Sequence, residues 1–205
     1  MRTFLLALCL LLAAPVASAQ ESAPQRDETL AQINAYLNDI VHLQGRFTQL
    51  DAEGRRGTGV FYLQRPGRIR FEYLPKGSLL VVADGQWVNV VEGAFRSEVQ
   101  RYPLEQTPLA LLLRERIDIA KDAEVLDLRR ESGNILLRLR AGDAGQQGEL
   151  TLIFEQPRLR LRQWIITDPH GRKTLVALSR LLEGVPVDAR LFALEAPVAR
   201  PQDRR

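Results

Sequence analysis

Hydrophobic and polar positions alternate along much of the chain, and the clearest alternation runs from Gly59 to Tyr73. The pattern predicts two β-strands joined by a turn at Arg65-Pro66-Gly67. Successive side chains of a strand point to opposite faces of a sheet, so one face collects every second residue. That face is expected to carry Phe61, Leu63, Arg65, Ile69, Phe71 and Tyr73. A large apolar face that ends in an arginine indicates a protein core, or a cavity wall with one charged group at its rim.

Further strands account for most of the remaining chain. Asp84-Gly85 lies between two apolar runs and predicts a tight hairpin, because these residues supply the positive φ of a primed turn. The predicted strands cover residues 47–50, 57–64, 68–73, 79–83, 87–91, 95–102, 124–130, 134–140, 148–155, 159–167, 172–181 and 190–194. Turn residues separate them, which favours a long antiparallel meander.

Two segments have helical rather than strand spacing. After Asp27, apolar residues recur every three or four positions, which predicts a helix that begins there and ends at Gly45. In mid-chain, Thr107-Pro108 followed by leucines predicts a helix with an N-cap and a proline in its first turn. One N-terminal helix, one mid-chain helix and a strand meander together predict an α+β half-barrel.

The first residues have the pattern of a secretory signal peptide. Arg2 precedes an apolar run, and the small residues Ala17-Ser18-Ala19 form a cleavage signature. The apolar run is too short to span a bilayer. We therefore expect residues 1–19 to be a signal peptide, residues 20–195 to form a single domain and residues 196–205 to be a disordered tail.

Cysteine usage and charge exclude several functions. Cys9 is the single cysteine and lies in the predicted signal peptide, so the mature chain has no disulfide, thiolate nucleophile or cysteine metal site. The formal net charge is only +3. Arginines such as Arg138 and Arg140 alternate with leucines at strand spacing, which is typical of a solvated sheet face. We expect no nucleic-acid partner.

Candidate catalytic groups are sparse. His42 and His170 have no neighbour at metal-ligand spacing. The serines lack a Gly-x-Ser-x-Gly elbow, and no phosphate-binding or dinucleotide fingerprint occurs. The acidic residues are too numerous for sequence to select a catalytic pair. Catalysis is the minority hypothesis, and we predict no catalytic residue, metal or cofactor.

Arg65 has two readings on physical grounds. An unpaired arginine in a dry core is costly, so the side chain needs a partner, and a movable lid could supply backbone carbonyls. Alternatively, Arg65 lies at a strand end and reaches water by extending its side chain. The residue pattern supports both readings equally.

The order of motifs adds a resemblance to a known family. The motifs are Phe47-x-Gln49, the 59–73 strand pair with its Arg-Pro-Gly turn, Asp84-Gly85, Thr107-Pro108-Leu109 and Asp168-x-x-Gly171-x-x-Thr174. This series resembles the periplasmic outer-membrane lipoprotein carrier family, LolA, through nearly the whole mature chain. The resemblance implies an incomplete, unclosed antiparallel β-barrel with a helical lid over a hydrophobic cavity.

The resemblance also implies a function. Such a protein is a monomeric periplasmic carrier that binds the acyl chains of lipoproteins, without enzymatic activity. It takes its cargo from an ABC-type exporter in the inner membrane and passes it to the outer membrane, where a lipoprotein receptor is a possible partner. The alternative is a carrier or sensor of another periplasmic lipid or lipoprotein signal on the same fold.

Residue roles follow from the same resemblance. Arg65 corresponds to the arginine that hydrogen-bonds the lid and acts as its latch. The expected acyl-chain wall comprises Phe47, Phe61, Leu63, Ile69, Phe71, Tyr73, Leu109, Leu112 and Leu113. Two features depart from the family pattern: Asn89 stands where an aromatic residue is usual, and the chain after Leu194 lacks the usual proline-glycine step.

Overall fold

A computed structural model describes residues 23–93, 98–141 and 148–194. Helix α1 (Ala23–Asp39) comes first. Six strands follow it: β1 (His42–Leu50), β2 (Arg56–Gln64), β3 (Arg68–Tyr73), β4 (Leu79–Asp84), β5 (Trp87–Glu92) and β6 (Glu98–Pro103). The chain then forms a 3₁₀ turn (Leu104–Gln106) and two short helices, α2 (Ala110–Leu113) and α3 (Ile119–Asp122). The remaining elements are β7 (Ala123–Glu131), β8 (Asn134–Ala141), β9 (Glu149–Glu155), β10 (Arg160–Thr167), β11 (Lys173–Glu183) and a 3₁₀ turn (Ala189–Phe192).

The strands form one antiparallel sheet of 11 strands in the order β6-β5-β4-β3-β2-β1-β11-β10-β9-β8-β7. Within β1–β6 and within β7–β11 each strand pairs with its neighbours in sequence, and β1 pairs with β11 to join the two halves. Strands β6 and β7 are the two edges, and no pairing between them occurs in the described part of the chain. The sheet is therefore an unclosed barrel, and the predicted fold class is confirmed.

The main hydrophobic core lies on the inner face of the sheet, which is the face that carries Phe61 and Phe71. The strand pair predicted from Gly59 to Tyr73 is present as β2 and β3, with Phe61 opposite Phe71. Helix α1 packs against this face through Ile33 and Leu37, which are buried. Burying such a side chain stabilises the fold by about 1.5–3 kcal/mol, so this face supplies most of the apolar driving force.

A second, smaller core covers part of the outer face. The chain beyond β11 returns over strands β3 and β4, and the side chain of Arg70 donates a hydrogen bond of 2.8 Å to the carbonyl of Leu191. The buried members of this core are Leu80, Val82, Val91, Val187 and Phe192. The C-terminal segment therefore shields apolar residues that would otherwise face water.

Asn89 belongs to the outer face and is fully buried there. Its side-chain oxygen accepts a hydrogen bond of 2.9 Å from Nε of Arg101, and its amide nitrogen donates to Val82 and Asp84. The Arg101 guanidinium also lies 5.6 Å from the ring centre of Trp87. A buried amide is tolerated at this position because its polar atoms have partners.

The first helix differs from its prediction at both ends, since it begins at Ala23 and stops at Asp39. Gly45 is not a helix end but a residue of β1, opposite Phe61. A Cβ atom on Gly45 would lie 2.8 Å from the carbonyl oxygen of Ser179 and 3.1 Å from the Phe61 ring. The glycine therefore permits close approach of neighbouring strands at an irregularity in the β1–β11 pairing.

Two other predicted elements are wrong in detail. The mid-chain helix begins at Ala110. Thr107 does not cap it, because the Thr107 hydroxyl donates to the Leu104 carbonyl at 2.8 Å. The predicted strand at residues 190–194 is instead the 3₁₀ turn, which the Asp188 side chain caps by accepting from the Arg190 amide. Both differences arise from local side-chain hydrogen bonds that compete with regular structure.

The predicted signal peptide (residues 1–19) and tail (residues 196–205) lie outside the described residues, as does the start of the predicted 95–102 strand. The proposed domain boundaries therefore stay predictions. Within the described ranges, no helix has the length and hydropathy needed to cross a bilayer.

Candidate functional site

An apolar cavity lies between the inner face of the sheet, the end of α1 and the segment that contains α2. Its volume is about 30 Å³. The residues that line it are Leu37, Ile40, Leu43, Phe61, Leu63, Arg65, Ile69, Leu109, Leu112, Leu113, Leu161 and Trp164. Arg65 supplies the charged group in this lining, and every other lining side chain is apolar. Such a lining favours apolar ligands through burial, which is non-directional.

Residues 104–114, here called the lid, close one side of the cavity. The lid is held at its start by a hydrogen bond of 2.9 Å from the Leu104 amide to the Gln86 carbonyl. At its end, the Gly67 amide donates to the Leu113 carbonyl at 2.8 Å. Both contacts join the lid to hairpin turns of the sheet, so the lid closes the cavity from the side of strands β2 to β5.

The turn at Arg65-Pro66-Gly67 fits closely against the neighbouring hairpin. Gly67 has a φ of +77°, and a Cβ atom there would lie 2.7 Å from the Cα of Gly85. Glycine is therefore required for both the turn conformation and the close approach of the two turns. This packing brings the Gly67 amide to the lid.

Arg65 is buried, with only 7 % of its surface exposed. Its Nε donates a hydrogen bond of 2.6 Å to the carbonyl of Ile40, and Nη2 donates to the carbonyl of Leu37. Its Nη1 donates to the carbonyl of Arg114, the last residue of the lid, at 3.3 Å. The structure therefore excludes the solvent-reaching alternative: the side chain joins the end of α1 to the end of the lid.

The electrostatic environment of Arg65 is unusual for a buried cation. Burial lowers the pKa of the guanidinium below its ordinary value, but an arginine remains charged in proteins. The acceptors from α1 are carbonyls of its last turn and of the residue just beyond it, where the helix dipole places negative partial charge. The charge of Arg65 is thus compensated by oriented carbonyls rather than by a carboxylate hydrogen bond.

The predicted wall residues separate into two groups. Phe61, Leu63 and Ile69 line the cavity from the sheet, and Leu109, Leu112 and Leu113 line it from the lid. The others, Phe47, Phe71 and Tyr73, lie beside the cavity in an aromatic cluster.

The aromatic cluster forms a layer next to the cavity lining. The ring of Phe47 lies 5.1 Å from that of Phe71 and 4.8 Å from that of Tyr73, both edge to face. Phe71 in turn lies 6.2 Å from Trp164, which lines the cavity. Burial raises the pKa of Tyr73 to about 12. Edge-to-face packing of this kind holds the aromatic rings in fixed positions beside the cavity.

Sequence reasoning missed five lining residues. Leu37 and Ile40 are among the apolar residues that recur at helical spacing after Asp27. This spacing does not reveal which of those residues face a cavity. Leu43 falls within the predicted helix, which ends at Gly45, but the residue belongs to β1. The other two, Leu161 and Trp164, are three residues apart, and a register shift in β10 brings both to the inner face. No period-two pattern could have identified that pair.

Polar chemistry near the cavity is limited. In the parts of the chain that the structure describes, no group of three histidine, cysteine, aspartate or glutamate side chains is placed to hold a metal ion. Tyr36 is near Leu161 and accepts its backbone N–H at 3.0 Å, and burial raises the pKa of this phenol to about 12. The arrangement suits the enclosure of an apolar group.

Comparison with known proteins agrees with this geometry. A family model described as outer membrane lipoprotein carrier protein LolA matches residues 38–195. An outer-membrane lipoprotein carrier protein from Alkalilimnicola ehrlichii is 30% identical over 211 residues, covering 94% of this chain and 89% of that protein. Another from Methylococcus capsulatus is 28% identical over 192 residues and covers 88% of each chain.

A solved structure supports the fold independently. A domain from Vibrio parahaemolyticus, provisionally named as an outer membrane lipoprotein-sorting protein, matches with a TM-score of 0.50 and covers 80% of this chain and 94% of that one. At 8% identity this likeness concerns the fold alone. The family match spans most of the chain and includes the sheet, the lid and Arg65. The chain therefore belongs to the family of outer membrane lipoprotein carrier proteins, LolA.

Proposed function

We propose that this protein carries lipoproteins through the periplasm by enclosing their acyl chains in the cavity beneath the lid. The observation that carries this proposal is an apolar cavity whose lid meets the buried Arg65. The family consists of carriers rather than enzymes, so no catalytic step is needed. Cargo would come from an ABC-type exporter in the inner membrane and pass to the outer membrane, in some cases through a receptor.

The size of the cavity requires the lid to move. A volume of about 30 Å³ is enough for about two or three water molecules, each of which needs roughly 10–15 Å³. A long acyl chain is far larger. If the cavity takes an acyl chain, the described conformation is a closed form, and uptake requires Leu109, Leu112 and Leu113 to leave the cavity.

The energetics favour opening when an acyl chain is available. Each buried methylene is worth about 0.8 kcal/mol, so hiding one long chain from water gains on the order of 10 kcal/mol. A lid hydrogen bond is worth about 0.5–1.5 kcal/mol, or up to about 3 kcal/mol when one partner is charged. The gain from burying cargo exceeds the cost of breaking the Arg65 and Gly67 contacts.

The same comparison explains release. An empty open cavity would expose apolar wall and lid residues to water, so the empty protein returns to the closed form. Closure alone cannot expel an acyl chain into water, because that step costs on the order of 10 kcal/mol. Release therefore requires a partner or membrane that buries the chain equally well. The carrier needs no nucleotide of its own for this exchange.

Depletion of the protein tests the proposed function in cells. Membranes from depleted and normal cells would be separated into inner and outer fractions, and acylated lipoproteins would be quantified in each. We expect outer-membrane lipoproteins to accumulate in the inner membrane after depletion. Normal sorting in depleted cells would refute the proposal.

Binding by the purified protein tests the same proposal directly. A triacylated lipopeptide should bind and protect its acyl chains from a hydrophobic dye, whereas the same peptide without acyl chains should not bind. Equal binding of both peptides would show that the cavity is not the recognition site.

A further inference from the structure

Beyond Arg65, helix α1 makes a second attachment to the segment after the lid. The side chain of Asn38 makes two hydrogen bonds to one residue: it accepts from the Ile117 amide at 2.9 Å and donates to the Ile117 carbonyl at 2.8 Å. One turn earlier, Asn34 accepts from the Ile119 amide at 3.1 Å. Residues four apart lie on one helix face, so the two amides act together.

The anchored residues are also fixed by packing. Ile117 and Ile119 are 2 % and 0 % exposed and belong to the main core. Two hydrogen bonds to the backbone of Ile117 add directional attachment to this burial. The chain from Ile117 onward is therefore bound to α1 both by apolar contact and by side-chain amides.

The attachments on either side of Glu115-Arg116 differ. Before it, Leu113 and Arg114 offer carbonyls to Gly67 and Arg65 of the sheet. After it, Ile117 is bound to α1 through Asn38. Glu115 and Arg116 themselves are exposed.

A side-chain contact also crosses this dipeptide. Arg114 forms an ion pair of 3.0 Å with Asp122, and both side chains are partly exposed, at 30% and 15%. The arginine side chain is long and has many rotamers, so it can keep this ion pair while its backbone moves. The pair therefore does not prevent the chain from turning between Arg114 and Ile117.

We propose that Asn38 is a positioning residue for the lid. By fixing Ile117 to α1, it makes the lid open by pivoting at Glu115-Arg116 and return to the same contact with Arg65. A tethered group meets its partner at a high effective concentration, and loosening the tether lowers that concentration. This inference rests on the proposed carrier function and adds the residue that directs its closing movement.

Two backbone amides report separately on the two sides of the pivot. The Gly67 amide donates to the lid, and the Ile117 amide donates to Asn38. Hydrogen exchange of both can be followed by NMR in the empty protein. Arg65→Leu should speed exchange at Gly67 about 10-fold, the effect of one hydrogen bond, and leave Ile117 within about 2-fold of wild type. Equal acceleration at both amides would overturn the pivot.

Asn38→Ala should give the opposite local result. Exchange at Ile117 should rise about 10-fold because the acceptor for its amide is lost. Asn38→Asp retains an oxygen that can accept from the Ile117 amide and should restore part of the protection. Gln32→Ala, a change at an exposed residue of the same helix, is the matched control and should alter neither amide. Unchanged exchange at Ile117 in Asn38→Ala would overturn the anchor.

Lipid release distinguishes positioning from general stabilisation. Each variant would be loaded with a fluorescent triacylated lipopeptide, and transfer to phospholipid vesicles would be timed. We expect Asn38→Ala to slow transfer about 10-fold, because return of the lid is less efficient. In the Arg65→Leu background the same substitution should add less than about 2-fold, since the closing contact is already absent.

The outcomes separate this inference from the carrier function. Independent effects of the two substitutions on transfer, or a normal transfer rate in Asn38→Ala, would overturn the positioning role while leaving the carrier intact. A wild-type protein that takes up no lipopeptide would refute the carrier function. In that case the Gly67 and Ile117 exchange rates still decide whether the pivot exists.

Discussion

Replacing Arg65 by leucine tests the role of the buried cation in closing the lid. The substitution removes donors from three carbonyls, those of Leu37, Ile40 and Arg114. The contacts with α1 are the short ones, whereas the contact with the lid is 3.3 Å long. Opening the lid therefore breaks the weakest of the three bonds and leaves the charge of Arg65 compensated by α1.

The expected change in the free energy of lid opening follows from this difference between the three hydrogen bonds. A hydrogen bond to a charged group is worth about 1.5–3 kcal/mol, and the long bond to Arg114 belongs at or below the lower limit, about 1.4 kcal/mol. Losing it should raise the ratio of open to closed empty protein about 10-fold. Overall stability should fall further, because the two carbonyls of α1 also lose a charged donor worth about 1.5–3 kcal/mol each.

Trp164 provides the assay because it lines the cavity and is only 3 % exposed. The chain has two tryptophans, so Trp87→Phe leaves Trp164 as the sole tryptophan, which can be excited selectively over tyrosine. In this background, Arg65→Leu should shift the emission of the empty protein to longer wavelength, since water reaches the opened cavity. Bound lipopeptide should reverse the shift while uptake is retained.

A matched control separates this effect from loss of any arginine. Arg68 lies just after the same turn and bonds Gln64 on the other face of the hairpin. Arg68→Leu should leave the Trp164 emission unchanged. If Arg65→Leu has the emission of wild type when empty and releases lipopeptide equally fast, the latch role is refuted.

Two further predictions concern the outer face. Burial opposes ionisation of Asp84, but hydrogen bonds from the amides of Trp87 and Gln86 lower its pKa below the ordinary value. Its stabilising effect is therefore present above the ordinary aspartate pKa of about 4 and is lost as pH falls through the lowered pKa. The difference in urea stability between wild type and Asp84→Asn should stay constant from about pH 7 down to about pH 4 and shrink below it. That decrease should be absent if Asp84 does not titrate in this way. Phe192→Ala should lower the unfolding free energy by about 3–5 kcal/mol, measured by urea titration, because Phe192 fills the outer core; a loss below about 1 kcal/mol would contradict that packing.

Much of the sheet was predictable because its signals are local. Alternation from Gly59 to Tyr73 assigned the correct inner-face residues, and Asp84-Gly85 marked a real hairpin. Gly45 was misassigned because glycine suits both a helix end and a crowded strand. The choice between these depends on Phe61 and on the carbonyl of Ser179, which is distant in the sequence.

The cavity was less predictable than the sheet. Alternation gave Phe61, Leu63 and Ile69, but it could not distinguish lining residues from the aromatic layer beside them. It also failed in β10, where a register shift puts both Leu161 and Trp164 on the inner face. Short-range patterns report which face a side chain takes, whereas a cavity depends on how separate elements pack.

The sequence by itself determined that Arg65 lies on the apolar face of a strand pair, because strand alternation depends only on neighbouring residues. Its partners were decided by the tertiary structure. The carbonyls lie 28 and 25 residues upstream in Leu37 and Ile40, and 49 residues downstream in Arg114. No local pattern encodes these distances in space. Packing of α1 and the lid against the sheet brings the carbonyls together around one guanidinium, and that convergence makes an arginine in an apolar face stable.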